Sequence, residues 1–237
     1  MAETWSLEAR GLTKRYGGFF ALNGVSITLK RGEIRGLIGS NGAGKSTFMD
    51  VLSGRGSNLG GEVFLEGQNI TPLSERARRR AGLARSFQKT NIFPELTVRQ
   101  QVELAARAAE EDNSEDVLRE LHLLQYADRK AADISYGDQR RVDLALALVG
   151  HPKVLLLDEP AAGLTMGESL ALAHLLRDLA ERWDLTVLLV EHDMEVIFSI
   201  CSHITVLHLG QLLTEGTPGE VRANPEVVRA YLGSAAA

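Results

Sequence analysis

The chain has 237 residues, 44% of them hydrophobic and 24% charged, with a net charge of −5 at pH 7. That length supports a sizeable core without metals or cross-links, and the single cysteine, Cys201, excludes an internal disulfide framework. The acidic balance argues against sequence-independent nucleic-acid binding, and no apolar run approaches the ~20 residues that span a bilayer. The first residues, MAETWSLEARGL, lack the apolar segment of a signal peptide. The expectation is a cytoplasmic chain, with any membrane crossing left to another subunit.

In chain order, SLEARGLTKRY and GVSITLKRGE read as strands, punctuated by Gly17–Gly18 and Arg31–Gly32. EIRGLIG is a short apolar strand, and KSTFMDVLSG is a helix stopped by Gly54. GEVFLEGQNI has a hairpin character. SERARRRAGLAR then reads as a basic helix. TVRQQVELAARAA places Val98, Val102, Ala105, Ala106 and Ala109 on one helical face. The polar link EEDNSED separates that helix from VLRELHLL, a second amphipathic one. The pattern describes a helical lobe inserted over about residues 73–150 of a single 1–237 domain. From Pro152 onward, apolar runs such as VLLL and LTVLLV alternate with helices, which predicts buried parallel strands with crossover helices.

Two stretches carry chemistry on their own. GSNGAGKST, Gly39–Thr47, fits G-x-x-x-x-G-K-[ST] and lies between an apolar strand and a helix. Its glycines let backbone N–H groups close around phosphate oxygens at a helix N-terminus. Within it Gly39, Ser40, Asn41, Gly42, Ala43, Gly44, Lys45, Ser46 and Thr47 form the nucleotide cradle. Lys45 is expected to reach the β- and γ-phosphates, and Ser46 to ligand Mg²⁺. VLLLDEP, Val154–Pro160, ends an apolar strand in two acids at the edge where ligands bind. Asp158 suits the Mg²⁺ shell, and Glu159 suits polarising a water for attack on the γ-phosphate. His192, after LTVLLVE, is placed to contact the γ-phosphate or to serve a structural end. Tyr16, before two glycines, suits stacking on adenine or packing in the core. A second Ser-x-Gly helix start, ISYGDQRR at Ile134–Arg141, has no role for the chain's own nucleotide.

In order and spacing these segments resemble the ABC ATPases across nearly the whole chain. Gly39–Thr47 is similar to their Walker A loop, Val154–Glu159 to Walker B, and Ile134–Gln139 to their signature motif. The resemblance implies an α/β P-loop NTPase fold of ABC ATPase type, with a mixed-sheet core, an N-terminal antiparallel part and the inserted lobe. It implies Gln88 as the Q-loop glutamine, in both the catalytic and Mg²⁺ sets. His192 becomes the switch histidine and Tyr16 the adenine-stacking aromatic. It further implies a head-to-tail pair of ATPase subunits, in which Ser135 and Gly137 contact the γ-phosphate held by the other subunit. The sequence departs from the family at four places, one of them Ser40, which stands where proline is common. Tyr136 and Asp138 stand where glycine and glutamine are common, and Thr165 stands where many members carry aspartate.

GLARSFQKTNIFPELTV, DEPAAGL, VEHDMEVI and VLHLGQLLTEGTPGEVRANPEVVRAYLG are similar to ATPase subunits of branched-chain amino acid importers. FQKTNIF and LHLGQLLTEGT are similar also to the urea and short-amide importers, which stand as the alternative. A soluble ABC ATPase fits less well, because such chains usually carry two nucleotide domains or long coiled-coil insertions. The implied partners are membrane permease subunits, a second ATPase subunit and, indirectly, a periplasmic binding protein, with no nucleic acid. The implied place is peripheral, on the inner face of the plasma membrane. The permease contact is expected near Gln88–Val102. The basic run Arg76–Arg80 suits either a solvated helix face or anionic headgroups.

Overall fold

The computed structural model describes residues 5–56, 60–86 and 91–229. Its strands are β1 (Trp5–Tyr16), β2 (Phe19–Lys30), β3 (Ile34–Ile38), β4 (Gly60–Leu65) and β5 (Gln68–Asn69), then β6 (Leu83–Arg85), β7 (Val154–Asp158), β8 (Thr186–Val190), β9 (His203–His208) and β10 (Gln211–Gly216). The helices are α1 (Lys45–Ser53), α2 (Glu75–Ala81), α3 (Val98–Ala109), α4 (Ser114–Glu120) and α5 (Tyr136–Leu148), followed by α6 (Met166–Trp183), α7 (Met194–Ile200), α8 (Pro218–Ala223) and α9 (Pro225–Val227).

The long β1–β2 hairpin joins β4 and β5 in an antiparallel sheet of order β2-β1-β4-β5. The second sheet runs β10-β9-β3-β8-β7-β6. Its pairs from β9 to β6 are parallel, and β10 closes the edge antiparallel. Every residue of β3, β7 and β8 is buried. With the two-residue period this puts core on both faces, which explains why those strands are mostly apolar. Leu155, Leu157, Val187 and Leu189 face one core, shared with α3 to α7. Val154, Leu156, Leu188 and Val190 face the other, where α1 supplies Phe48, Met49 and Leu52 beneath the antiparallel sheet.

The structure redraws the middle of the chain. SERARRRAGLAR is helical only to Ala81, because Gly82 takes φ 107° as a C-cap and turns the chain into β6. The expected 73–150 segment thus contains an edge strand of the parallel sheet, paired through Leu83 and Val154. The link EEDNSED also holds the first turn of α4. The face of α3 lies as its spacing predicts, with Val98, Val102 and Ala106 buried and Ala105 and Ala109 packed beside them. The basic run divides its work. Arg78 is buried and donates to the carbonyls of Val51 and Leu52 at 2.8 and 2.6 Å, satisfying the C-terminal end of α1. Arg79 donates to Val149 O at 2.6 Å, and Arg80 pairs with Glu110 at 2.6 Å. Two of these arginines therefore serve internal carbonyls rather than a solvated or lipid-facing surface. Among the described residues no helix is long and apolar enough to cross a membrane.

Candidate nucleotide site

The carboxyl ends of β3, β7 and β8 converge on one cavity of about 310 Å³. Its wall is made by Asn41 to Thr47, Glu159, His192 and, at the far side, Tyr16, Phe19 and Ala21. The loop after β3 is tied down by backbone bonds from Ala43 N to Ser40 O at 3.1 Å and from Gly210 N to Ala43 O at 3.0 Å. Gly44 adopts φ 104°, and a Cβ there would lie 2.5 Å from Ala21 O. Only glycine lets the loop approach the hairpin so closely.

Lys45 opens α1 and is buried, with Nζ donating to Gly39 O at 2.7 Å and Ser40 O at 3.2 Å. Burial pushes its pKa down, against the opposing pull of Glu159 and Asp158. Ser46 is exposed at the loop's rim. Glu159 follows β7 and lies 2.7 Å from His192 Nε2, an ion pair when the imidazole is protonated. The register of β7 with β8 brings these two strand ends side by side, Asp158 opposite Val190. Asp158 is buried beneath, its carboxyl pushed above the ordinary range by burial and pulled back by Arg85. Arg85 bridges Asp158 at 3.3 Å and Asp50 at 2.6 Å. Tyr16 and Phe19 face each other across the hairpin tip and are both exposed, so Tyr16 is not a core residue. Gln88 lies outside the described residues.

The second Ser-x-Gly turn stands apart. Ser135 caps α5, accepting from Asp138 N at 3.1 Å and donating to Asp138 Oδ2 at 2.7 Å. With Gly137, Asp138, Arg141 and Glu168 it lines a separate polar cavity of about 290 Å³, which shares no residue with the first. Thr165 caps α6 in a capping box with Glu168. That is the local job an aspartate does at an N-cap.

Sequence reasoning located the residues that sit in linear motifs. It missed Arg85, Phe19 and Glu191, and it missed that Tyr136 reaches the loop after Glu159. Only the basic residue at the end of a short apolar run hinted at Arg85.

A phosphate loop between parallel strand β3 and helix α1, with acids at the end of β7 one strand beyond β8, defines a P-loop nucleotide hydrolase. The sequence pattern of the ABC transporter family matches residues 22–162, and that of the branched-chain amino acid ATP-binding cassette transporters matches residues 211–237. The chain belongs to the ABC transporter family, as one of its ATPase subunits. It is 37% identical to the high-affinity branched-chain amino acid transport ATP-binding protein BraF of Pseudomonas aeruginosa, covering 97% of this chain and 98% of that one. It is 38% identical to LivG of Escherichia coli, of the same description, with the same coverage. Among solved structures, the ADP conformation of MJ1267, an ATP-binding cassette of an ABC transporter, superposes with TM-score 0.88 at 29% identity, over 97% of this chain and 99% of that one.

Proposed function

We propose that this chain hydrolyses ATP to energise uptake of branched-chain or hydrophobic amino acids through a separate membrane permease. The observation that carries the chemistry is the single cavity lined by the phosphate loop, Lys45, Glu159 and His192. The match at residues 211–237 and the names of the relatives support the solute class.

In this reading Lys45 releases the carbonyls of Gly39 and Ser40 and takes the β- and γ-phosphates. The N–H groups of the loop and the start of α1 hold the same oxygens. Glu159 accepts a proton from the attacking water, and His192 positions Glu159 and carries developing charge. The Ser46 hydroxyl and the Asp158 carboxylate are hard oxygen donors that suit Mg²⁺, which supplies charge neutralisation at the phosphates when bound. Among the described residues no group of three or more His, Cys, Asp or Glu holds a metal unaided. Gln88 belongs in the same set as Ser46 and Asp158.

Ser135 and Gly137 line a cavity apart from the first and lie at a helix N-terminus, so we assign them to the nucleotide of a second ATPase subunit. The assembly places this chain on the cytoplasmic face of the membrane beside its permease. A periplasmic binding protein delivers the solute on the other side.

The test is uptake of labelled leucine and labelled urea in cells carrying the native chain or Glu159→Gln as the sole copy. The variant is expected to bind ATP, lose nearly all hydrolysis and abolish leucine uptake. Loss of urea uptake alone would move the assignment to the amide importers. Full turnover by the Glu159→Gln variant in the assembled transporter would remove Glu159 as the base.

A further inference from the structure

The loop that leaves Glu159 is held from two directions by side chains that no role so far accounts for. Glu159 itself takes φ 52°, an uncommon backbone for a non-glycine residue, with its N–H on Val190 O at 2.9 Å. Two tight turns follow, from Ala162 N to Glu159 O and from Leu164 N to Ala161 O, each 3.1 Å. On one side, Glu191 is 4% exposed and its Oε1 accepts from Ala161 N at 2.8 Å. On the other side, the Ala162 carbonyl accepts from Tyr136 Oη at 3.1 Å and from Arg140 Nη2 at 2.8 Å. Arg140 is 5% exposed, and its guanidinium stands 5.3 Å from the centre of the Tyr136 ring. A Cβ on Gly163, at φ +85°, would sit 3.0 Å from the Tyr136 ring, so glycine is what lets the ring close on the loop.

We infer that Glu191, Tyr136 and Arg140 are positioning residues that fix the Ala161–Ala162 segment as a strap between two working ends of one subunit. One end is Glu159 with His192, at the chain's own nucleotide. The other is the first two turns of α5, which present Ser135 and Gly137. The segment is two residues long and bonded on both flanks, so a shift of α5 moves the backbone that sets Glu159. Tyr136 occupies a position where glycine is common in the family, and its hydroxyl gives this chain a bond that glycine cannot make. An orientation defect at a reacting group lowers kcat rather than substrate affinity.

Both ends of the strap take their meaning from the roles proposed above, so Glu159→Gln and the native chain run beside every variant. ATP hydrolysis is measured on the transporter assembly purified through a tag on this chain. Thermal midpoint and amide exchange across residues 160–164 are measured on the same samples. Tyr136→Phe, which keeps the ring and loses only the hydroxyl, is expected to lower kcat about fivefold with KM for ATP little changed. Exchange should quicken in 160–164, and the thermal midpoint should hold. Glu191→Ala should act in the same direction more strongly, and Glu191→Gln, which keeps an oxygen for Ala161, should restore most of the rate. Unchanged kcat and exchange in Tyr136→Phe would overturn the strap. So would a loss of rate matched by a fall in thermal midpoint, which marks a merely structural bond. If the native assembly fails to outpace Glu159→Gln, the fault lies in the ATPase reading, and amide exchange alone decides whether the strap exists.

Discussion

Ser135 does not stand with its hydroxyl waiting. Its proton is given to Asp138 Oδ2, and its oxygen takes the Asp138 N–H. Asp138 is in turn paired with Arg141 at 3.2 Å. In the proposed role Ser135 would have to leave Asp138 before donating to a phosphate, and the carboxylate would repel the approaching triphosphate. Asp138→Asn is expected to lower the ATP concentration for half-maximal hydrolysis by about fivefold, with a larger effect at low salt than at high salt. A titration of assembly ATPase with ATP at two ionic strengths checks this. The same residue scale shows what a sequence conveys about a site. Lys45 and Ser46 at the start of α1, and Asp158 and Glu159 at the end of β7, stand in linear motifs, so type and spacing reveal them. Arg85 and Glu191 act on groups 73 and 30 residues away, Asp158 and Ala161 respectively. No local pattern encodes such a pairing.

The elements were legible where burial is uniform. β3, β7 and β8 read as strands because both of their faces meet a core. The α2–β6 boundary did not, because it turns on the left-handed conformation of one residue, Gly82, inside a basic run that favours helix on both sides. The start of α4 was hidden by polar residues, because charged residues fit an exposed helix face as readily as a loop. β3 also shows how tightly its neighbours set its composition. A Cβ on Gly36 would lie 3.2 Å from Cys201 Sγ and from Ile197 Cγ2, with Ile197 Cδ1 at 3.3 Å. Gly36→Ala is therefore expected to destabilise the fold by about 1–3 kcal/mol as α7 is pushed off the sheet. Urea denaturation of the two proteins measures the difference directly.

At the scale of the whole molecule, four acids among the described residues are buried: Glu33, which pairs with Arg35, and Asp143, Asp158 and Glu191. Burial holds the carboxyls of Asp143, Asp158 and Glu191 above their ordinary range. A carboxyl with a raised folded pKa keeps its proton in the native state after the unfolded chain has lost it. Stability from these groups is thus fullest below the unfolded value and falls as pH rises through the folded one. Glu191→Gln is expected to flatten part of that decline as pH rises above the ordinary carboxylate range. Chemical denaturation over a pH series, against the native chain, shows whether the slope changes. The parallel sheet was legible in outline, since β–α alternation after Pro152 announces it. The stacking of the antiparallel sheet upon it was not, because β1 and β2 show no signal for what lies across their inner face.

The hairpin that bears Tyr16 and Phe19 has a consequence for selectivity among fuels. An aromatic ring meets the flat face of a base, and every base has one. Telling adenine from guanine requires donors and acceptors fixed along the edge of the ring. The hairpin contributes Tyr16, Phe19 and Ala21 to the cavity lining, two aromatic rings and a methyl group. GTP is expected to compete with ATP within about threefold, since stacking strength differs little between purines. A competition series with the two triphosphates measures it. Uptake driven this way would follow the summed purine triphosphate pool of the cell, not its ATP alone.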